Sequence, residues 1–372
     1  MKVLFIFGTR PEAIKLAPLI KKMICDGFFE VRVCVTAQHR QMLDQVLDFF
    51  EIKPDYDLNI MKPNQTLFDV TCDSLRGIEK VLNDFHADLI IVQGDTTTVL
   101  TGALAGYYKK IRVAHVEAGL RSGEKYSPFP EEINRALTGV VADYHFAPTG
   151  KASENLAAEG RSKNVWITGN TVIDALYMGL DIVRSHNEEI YLDRFKFLDF
   201  SKKIVLVTGH RRESFGTPFE NICRALIELS EKYSNEIQIV YPVHLNPNIR
   251  NTVNSMLKGY PNIFLIEPLE YKFIIWLMNR SYIILTDSGG IQEEGPALGK
   301  PVLVMRDVTE RPEGISAGTA RLTGTDCEVI VNEASRLISD ASAYETMARA
   351  VNPYGDGTAC DQIINIIKGF KQ

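Results

Sequence analysis

Paired cysteines are missing from this 372-residue chain. Its six cysteines, Cys25, Cys34, Cys72, Cys223, Cys327 and Cys360, are scattered, with no CxxC pair. A disulfide framework is uncommon in so long a chain and zinc-ligand spacing is absent, so buried, reduced thiols in a cytoplasmic protein are expected. Long hydrophobic runs are missing as well. The apolar residues 3–7 stop at GTRP, short of a signal segment, and no stretch approaches the ~18 apolar residues of a membrane span. There is no excess of positive charge: 41 Lys and Arg face 47 Asp and Glu, a net charge of -6. That balance argues against a non-specific nucleic-acid or polybasic membrane binder but leaves a local anion pocket open. No GxGxxG follows a strand and no GxxxxGK[ST] occurs, which disfavours NAD and P-loop chemistry. The 16 Pro, 26 Gly and 45% hydrophobic content are those of an ordinary globular protein with room for two or three domains.

Short apolar runs alternate with longer amphipathic stretches. Runs at 3–7, 31–35, 89–93, 113–116, 144–148 and 165–168 form one series; 204–208, 237–243, 263–268, 282–286 and 301–305 form a second. Such β-branched runs suit strands buried on both faces. Helical patterns at 12–24, 39–50, 67–84, 97–108, 131–142, 218–233, 248–257 and 291–298 lie between most of them. The alternation implies parallel sheets flanked by helices. Eleven candidate strands are many for one open sheet, and the second series restarts like the first. Two Rossmann-like domains are therefore expected. The first would be 1–168, with a C-terminal helix at 358–372 packing back on it. The second would be 169–357, entered through a hinge helix at 172–184.

In open parallel sheets ligands bind beyond the carboxyl ends of the strands. Here those ends are polar: GTRPEAIK (8–15), GDTTT (94–98), EAGLRSG (117–123), GHRRES (209–214) and DSGGIQEE (287–294) each follow an apolar run. Ser288, Gly289 and Gly290 lie where backbone N–H groups can reach a phosphate at a helix start, and Glu294 could accept from ribose hydroxyls. A tight turn followed by an exposed Glu satisfies the same spacing. Arg10 and Lys15 suit a diphosphate, or else a solvated cation pair behind Pro11; Arg311 is a third candidate cation. Asp95, Glu117 and Glu131 are candidate acid/base groups, because carboxylates gathered in one cleft raise at least one pKa. Asp95 could equally cap the helix that TTT begins, and Glu131 could answer a helix dipole. His115 and Glu117 form HxE, but no PCxxC follows, so no zinc deaminase site is expected. Among the histidines, His210 beside Arg211 and Arg212 suits an anionic leaving group, and His244 is second.

Taken together and in order, GTRPEAIK, TAQHRQMLDQV, GDTTT, HVEAGLRS, PEEINR, TGNTVID, GHRRES, YPVHLNP, DSGGIQEE, TERPEG and NPYGDG closely resemble the bacterial non-hydrolysing UDP-N-acetylglucosamine 2-epimerases. The resemblance covers almost the whole chain; only 185–203 carries nothing familiar. It implies a GT-B-type α/β fold, two Rossmann-like domains with parallel sheets facing across a cleft, the second binding UDP. It also implies reversible conversion of UDP-GlcNAc to UDP-ManNAc by elimination of UDP to 2-acetamidoglucal and re-addition. No metal or other cofactor is implied, and the ManNAc units would supply surface polysaccharide. Carried over residue by residue, Arg10, Lys15, His210 and Arg311 would hold or neutralise the diphosphate, with His210 counted among the catalytic residues. Ser288, Gly289 and Gly290 would bind phosphate and Glu294 the ribose. Asp95, Glu117 and Glu131 would be the acid/base set, Asp95 and Glu131 nearest to proton transfer. A second UDP-GlcNAc would act as effector on Gln38, Gln41, Gln65, Glu131, Arg211 and His244, in a cytoplasmic homodimer with no nucleic-acid or membrane partner. Two positions depart from the family: Asn64 where some relatives have Arg, and Ile274, beside Phe273, where an uracil-packing Phe is common. A GT-B glycosyltransferase, a hydrolysing epimerase and a non-catalytic nucleotide-sugar sensor are the competing readings.

Overall fold

The computed structural model describes residues 1–37, 40–62, 64–209, 211 and 215–370. Contacts divide the chain into two units, Met1–Met178 with Tyr354–Gln372, and Gly179–Pro353. The first holds strands β1 (Lys2–Phe7), β2 (Glu30–Val35), β3 (Tyr56–Asp57), β4 (Leu89–Gln93), β5 (Arg112–Val116), β6 (Tyr144–Ala147) and β7 (Val165–Ile167). They form one parallel sheet in the order β3-β2-β1-β4-β5-β6-β7. The second holds β8 (Lys203–Thr208), β9 (Ile237–Pro242), β10 (Ile263–Ile266), β11 (Ile283–Thr286), β12 (Val302–Val304) and β13 (Ala320–Leu322). Its parallel order is β10-β9-β8-β11-β12-β13. Both are doubly wound: chain order reverses beside the first strand, between β1 and β4 and between β8 and β11. Ligands enter such sheets at that reversal.

The strands form because their residues must be covered on both faces. Leu4, Phe5, Ile6, Phe7, Leu89, Ile90, Ile91 and Val92 are all fully buried. Each such side chain contributes about 1.5–3 kcal/mol when taken out of water. The helix Arg10–Asp26 starts on a capping box between Thr9 and Glu12, with Pro11 in its first turn, and stops at Gly27 in the left-handed region, φ 74°. The helix Thr97–Tyr108 lies close against the sheet because it is rich in small residues. A Cβ on Gly106 would come within 2.7 Å of Val113 Cγ2.

Several expectations need correction. Strands β3 and β13 are too short, at two and three residues, to show a period. The helices Gly150–Ala158, Glu189–Arg194, Tyr271–Arg280, Pro312–Ser316, Cys327–Ser339 and Ala341–Ala348 were not anticipated. The unit boundaries fall at 178/179 and 353/354 rather than at 168/169 and 357/358. The helix Thr171–Ser185 crosses the first boundary because its opening turn is tied to the returning chain. The N–H of Asn170 donates to the Tyr354 carbonyl (2.7 Å), and that of Cys360 to Asp174 Oδ1 (2.9 Å). The last helix, Ala359–Gly369, packs on Arg10–Asp26, with ion pairs Lys22–Asp361 (2.8 Å) and Lys368–Asp26 (2.6 Å). All six cysteines are free, but Cys25 and Cys72 are exposed and Cys327 is half-buried, against the expectation of buried thiols. Cys25 and Cys72 lie on helices, on faces turned away from the sheet core. Among the described residues no helix is long and apolar enough to cross a membrane.

Candidate active site

At the first reversal point the loops after β1, β4 and β5 bring Glu12, Asp95 and Glu117 together. Glu12 is buried, 2% exposed. It accepts from the N–H of Gly8 (2.9 Å), the N–H of Thr9 (2.6 Å) and Thr96 Oγ1 (2.6 Å), so it joins the β1 loop to the β4 loop. Burial pushes its pKa up, while these donors pull the other way. Gly8 is required here: a Cβ would lie 2.2 Å from Thr36 Oγ1 and 2.6 Å from Thr98 Oγ1, two hydroxyls that hydrogen-bond each other at 2.8 Å. One turn further along the helix, Lys15 Nζ lies 2.5 Å from Glu117 Oε1. Glu117 also accepts from Gln93 Nε2 and from Asn170 Nδ2 (3.1 Å), and its backbone is in the left-handed region, φ 63°. A non-glycine residue there is strained, as functional residues often are.

Asp95 follows Gly94, itself at φ 84°. Its Oδ2 lies 2.5 Å from Arg135 Nη2. Burial raises the Asp95 pKa; Arg135 counters this, Glu117 adds to it, and Lys15 counters it again. Arg135 stands one turn after Glu131 in the helix Glu131–Val141. Its Nη1 is 3.3 Å from Glu132, which accepts from the N–H groups of Ser122 (3.0 Å) and Gly123 (3.1 Å). Glu131 opens that helix, and its Oε2 is buried without a hydrogen-bond partner. His115 Nε2 lies 2.7 Å from the Gly94 carbonyl, and burial pushes its pKa down to about 3. The ring is thus neutral and donates, which steadies the turn before Asp95.

The second unit presents a separate group at its own reversal point. Ser288 N–H donates to Thr286 Oγ1 (3.0 Å), and the helix Gly289–Ala297 begins directly after it. A Cβ on Gly289 would come within 3.9 Å of the Arg311 guanidinium, and one on Gly290 within 3.7 Å of Glu294 Oε2. The Arg311 guanidinium pairs with Glu293, which is 1% exposed. Glu294 is 8% exposed and accepts from the Tyr271 hydroxyl (3.2 Å). Arg211 N–H donates to Asp287 Oδ2 (2.7 Å), which draws the β8 loop onto the β11 loop.

The family model of UDP-N-acetylglucosamine 2-epimerase matches residues 21–368. The chain belongs to that family. It is 57% identical to a UDP-N-acetylglucosamine 2-epimerase of Yersinia pestis over 374 residues, covering 100% of this chain and 99% of that one. The crystal structure of the Neisseria meningitidis UDP-GlcNAc 2-epimerase bound to UDP-GlcNAc matches with a TM-score of 0.92 at 48% identity, covering 99% and 100%. That of Methanocaldococcus jannaschii UDP-GlcNAc 2-epimerase, in complex with UDP-GlcNAc and UDP, matches with 0.81 at 35%, again covering 99% and 100%.

For this member of the epimerase family, the structure gathers Lys15, Asp95 and Glu117 in one group, with Arg10 on the helix of Lys15 and Glu131 on the helix of Arg135. Ser288, Gly289, Gly290, Glu294 and Arg311 form the second group. Lys15 is 14% exposed and paired, not a solvated cation, and Glu294 is not exposed. Asp95 is not the helix cap: Thr96 holds that position and its Oγ1 accepts from Val99 N–H. Two effector candidates are engaged locally. Gln65 accepts from Lys62 N–H (2.9 Å) and donates to the Ile60 carbonyl (2.5 Å); His244 is exposed and its Nδ1 accepts from Asn246 N–H (3.1 Å). His210, Gln38 and the Gln41 side chain lie outside the described residues. Phe273, beside Ile274, packs against Tyr191 and Phe195. Glu12, Gln93, Arg135, Asn170, Tyr271 and Glu293 were not singled out in the sequence. Three of them carry a signal: Glu12 completes a T-x-x-E capping box, Gln93 ends an otherwise apolar run, and Arg135 stands four after Glu131.

Proposed function

We propose that the chain interconverts UDP-GlcNAc and UDP-ManNAc without hydrolysis, by eliminating UDP to 2-acetamidoglucal and adding it back. The proton on carbon 2 is not beside a carbonyl, so a base alone removes it poorly. As the bond from carbon 1 to the diphosphate oxygen breaks, its electron pair leaves with UDP and carbon 1 gains oxocarbenium character, which acidifies the neighbouring proton. A carboxylate takes that proton and a carbon–carbon double bond forms. Protonation of carbon 2 on the other face, with return of the UDP oxygen to carbon 1, completes the inversion and consumes no water. The observation that carries this reading is the pairing of Asp95 with Arg135 and of Glu117 with Lys15 at one reversal point, with a buried, unpartnered Glu131 Oε2 on the helix that carries Arg135. Carboxylates held in such contrasting surroundings suit separate acid and base duties.

In this reading Asp95, Glu117 and Glu131 move protons. Arg10, Lys15, His210 and Arg311 answer the charge that develops on the diphosphate. Ser288, Gly289 and Gly290 bind phosphate, the two glycines through backbone N–H groups, and Glu294 binds the ribose. The UDP-GlcNAc bound by the Neisseria protein supports a nucleotide-sugar substrate. An effector UDP-GlcNAc on Gln38, Gln41, Gln65, Glu131, Arg211 and His244, a cytoplasmic homodimer, and supply of ManNAc for surface polysaccharide belong to the same proposal. Proton NMR of the protein with UDP-GlcNAc in heavy water tests it. UDP-ManNAc deuterated at carbon 2 is expected. Free ManNAc with UDP would mean hydrolysis instead, and unchanged substrate with folded, UDP-binding protein would overturn the reading.

A further inference from the structure

Among the described residues, Arg135, Glu117 and Lys15 act on Asp95. Arg135 touches it from the helix Glu131–Val141, and Glu131 and Glu132 lie on the same helix. Glu117 and Lys15 approach from the β5 loop and the first helix, and these two are engaged with each other. Arg135 sets its guanidinium directly against the Asp95 carboxylate. Its side chain is 11% exposed and its guanidinium is held at both ends, on Asp95 at 2.5 Å and on Glu132 at 3.3 Å, and Glu132 is itself pinned by two backbone N–H groups. A planar fork fixed in this way holds direction as well as charge.

We infer that Arg135 is a positioning residue for proton transfer, fixing the Asp95 carboxylate in place and keeping it ionised so that it serves as the base of one half-reaction. The inference rests on the proposal that Asp95 exchanges the carbon-2 proton. In that step the carbon–hydrogen electron pair becomes the double bond, the proton goes to Asp95, and the carbon–oxygen pair leaves with UDP. Burial works against an ionised Asp95, and Arg135 opposes it. A brace that served the fold alone would leave the pH profile where it is.

The test uses Arg135→Gln and Arg135→Lys, each checked for folding by circular dichroism. In Arg135→Gln the acidic limb of the kcat profile should move up by about 1–3 pH units. KM should stay within about threefold, and added guanidinium ion should restore part of kcat. Arg135→Lys should show a smaller displacement, and it decides the matter if the Gln variant does not fold. Carbon-13 titration of the Asp95 carboxyl, assigned against Asp95→Asn, should show the same upward movement without relying on turnover. An unmoved acidic limb together with an unmoved Asp95 midpoint would overturn the inference. Failure of the wild-type protein to introduce deuterium would instead overturn the epimerase reading, leaving the carbon-13 titration to decide the role of Arg135.

Discussion

Asp95 and His115 show at single residues how burial and partners set a charge. Asp95 has a cation 2.5 Å away; His115 has a carbonyl 2.7 Å away and no exposed surface to speak of. Asp95→Asn keeps the shape and removes the proposed base, so turnover should fall by at least about a hundredfold, the usual worth of an acid/base group. UDP affinity, read by calorimetry, should stay within a few-fold; a comparable loss of binding would contradict the catalytic assignment. His115 makes a different prediction. Unfolded, it takes up a proton as the pH falls below 6.5, but folded it resists until about 3. Its contribution is therefore complete above 6.5 and declines on acidification, by about 1.4 kcal/mol per pH unit. His145, pushed down to about 4 by burial, acts in the same direction. His115→Gln retains a donor for Gly94 and removes the titration. Its urea midpoint should drop less than that of the wild type between pH 6.5 and 5.

The loops become rigid only when neighbouring elements meet. Gly8 occupies the one gap between the Thr36 and Thr98 hydroxyls, so Gly8→Ala must part that pair or shift the β1 loop. A loss of about 1–3 kcal/mol is expected from such overpacking, with a lower thermal midpoint and weaker catalysis. Glu12→Gln keeps most of the capping geometry but replaces an acceptor-only group with one that also donates. It should loosen the link from Thr96 to the first helix turn and speed hydrogen exchange at Gly8 and Thr9. The long buried strands were legible because a sheet covered on both faces leaves an uninterrupted apolar run. The short edge strands β3 and β13 leave almost no pattern, and the helix Cys327–Ser339 follows one of them, so it had no evident strand to follow. Asp95 and Glu117 stood out by position, each just beyond a strand, and Lys15 by its place on the helix that follows β1. Arg135 offered only its spacing from Glu131; its contact is with a residue forty positions away that only the folded sheet brings near.

At the scale of the chain, the first unit is discontinuous in sequence. Ile363, Ile364 and Ile367 are buried in the returning helix, and Phe370 stacks on Tyr144 with ring centroids 3.9 Å apart. Deleting residues 354–372 should cost the first unit roughly 5 kcal/mol from the three isoleucines alone. Hydrogen exchange would then quicken in β1, β2 and the helix Arg10–Asp26, while β8, β9 and β11 keep their protection. A ribosome must synthesise residues 179–353 before it reaches the segment that closes the first unit. At about 5–20 residues per second that interval lasts about 10–35 s. Throughout it, the nascent first sheet lacks the cover of its last helix, so a chaperone that recognises apolar helix surfaces has its longest opportunity while the second unit is emerging.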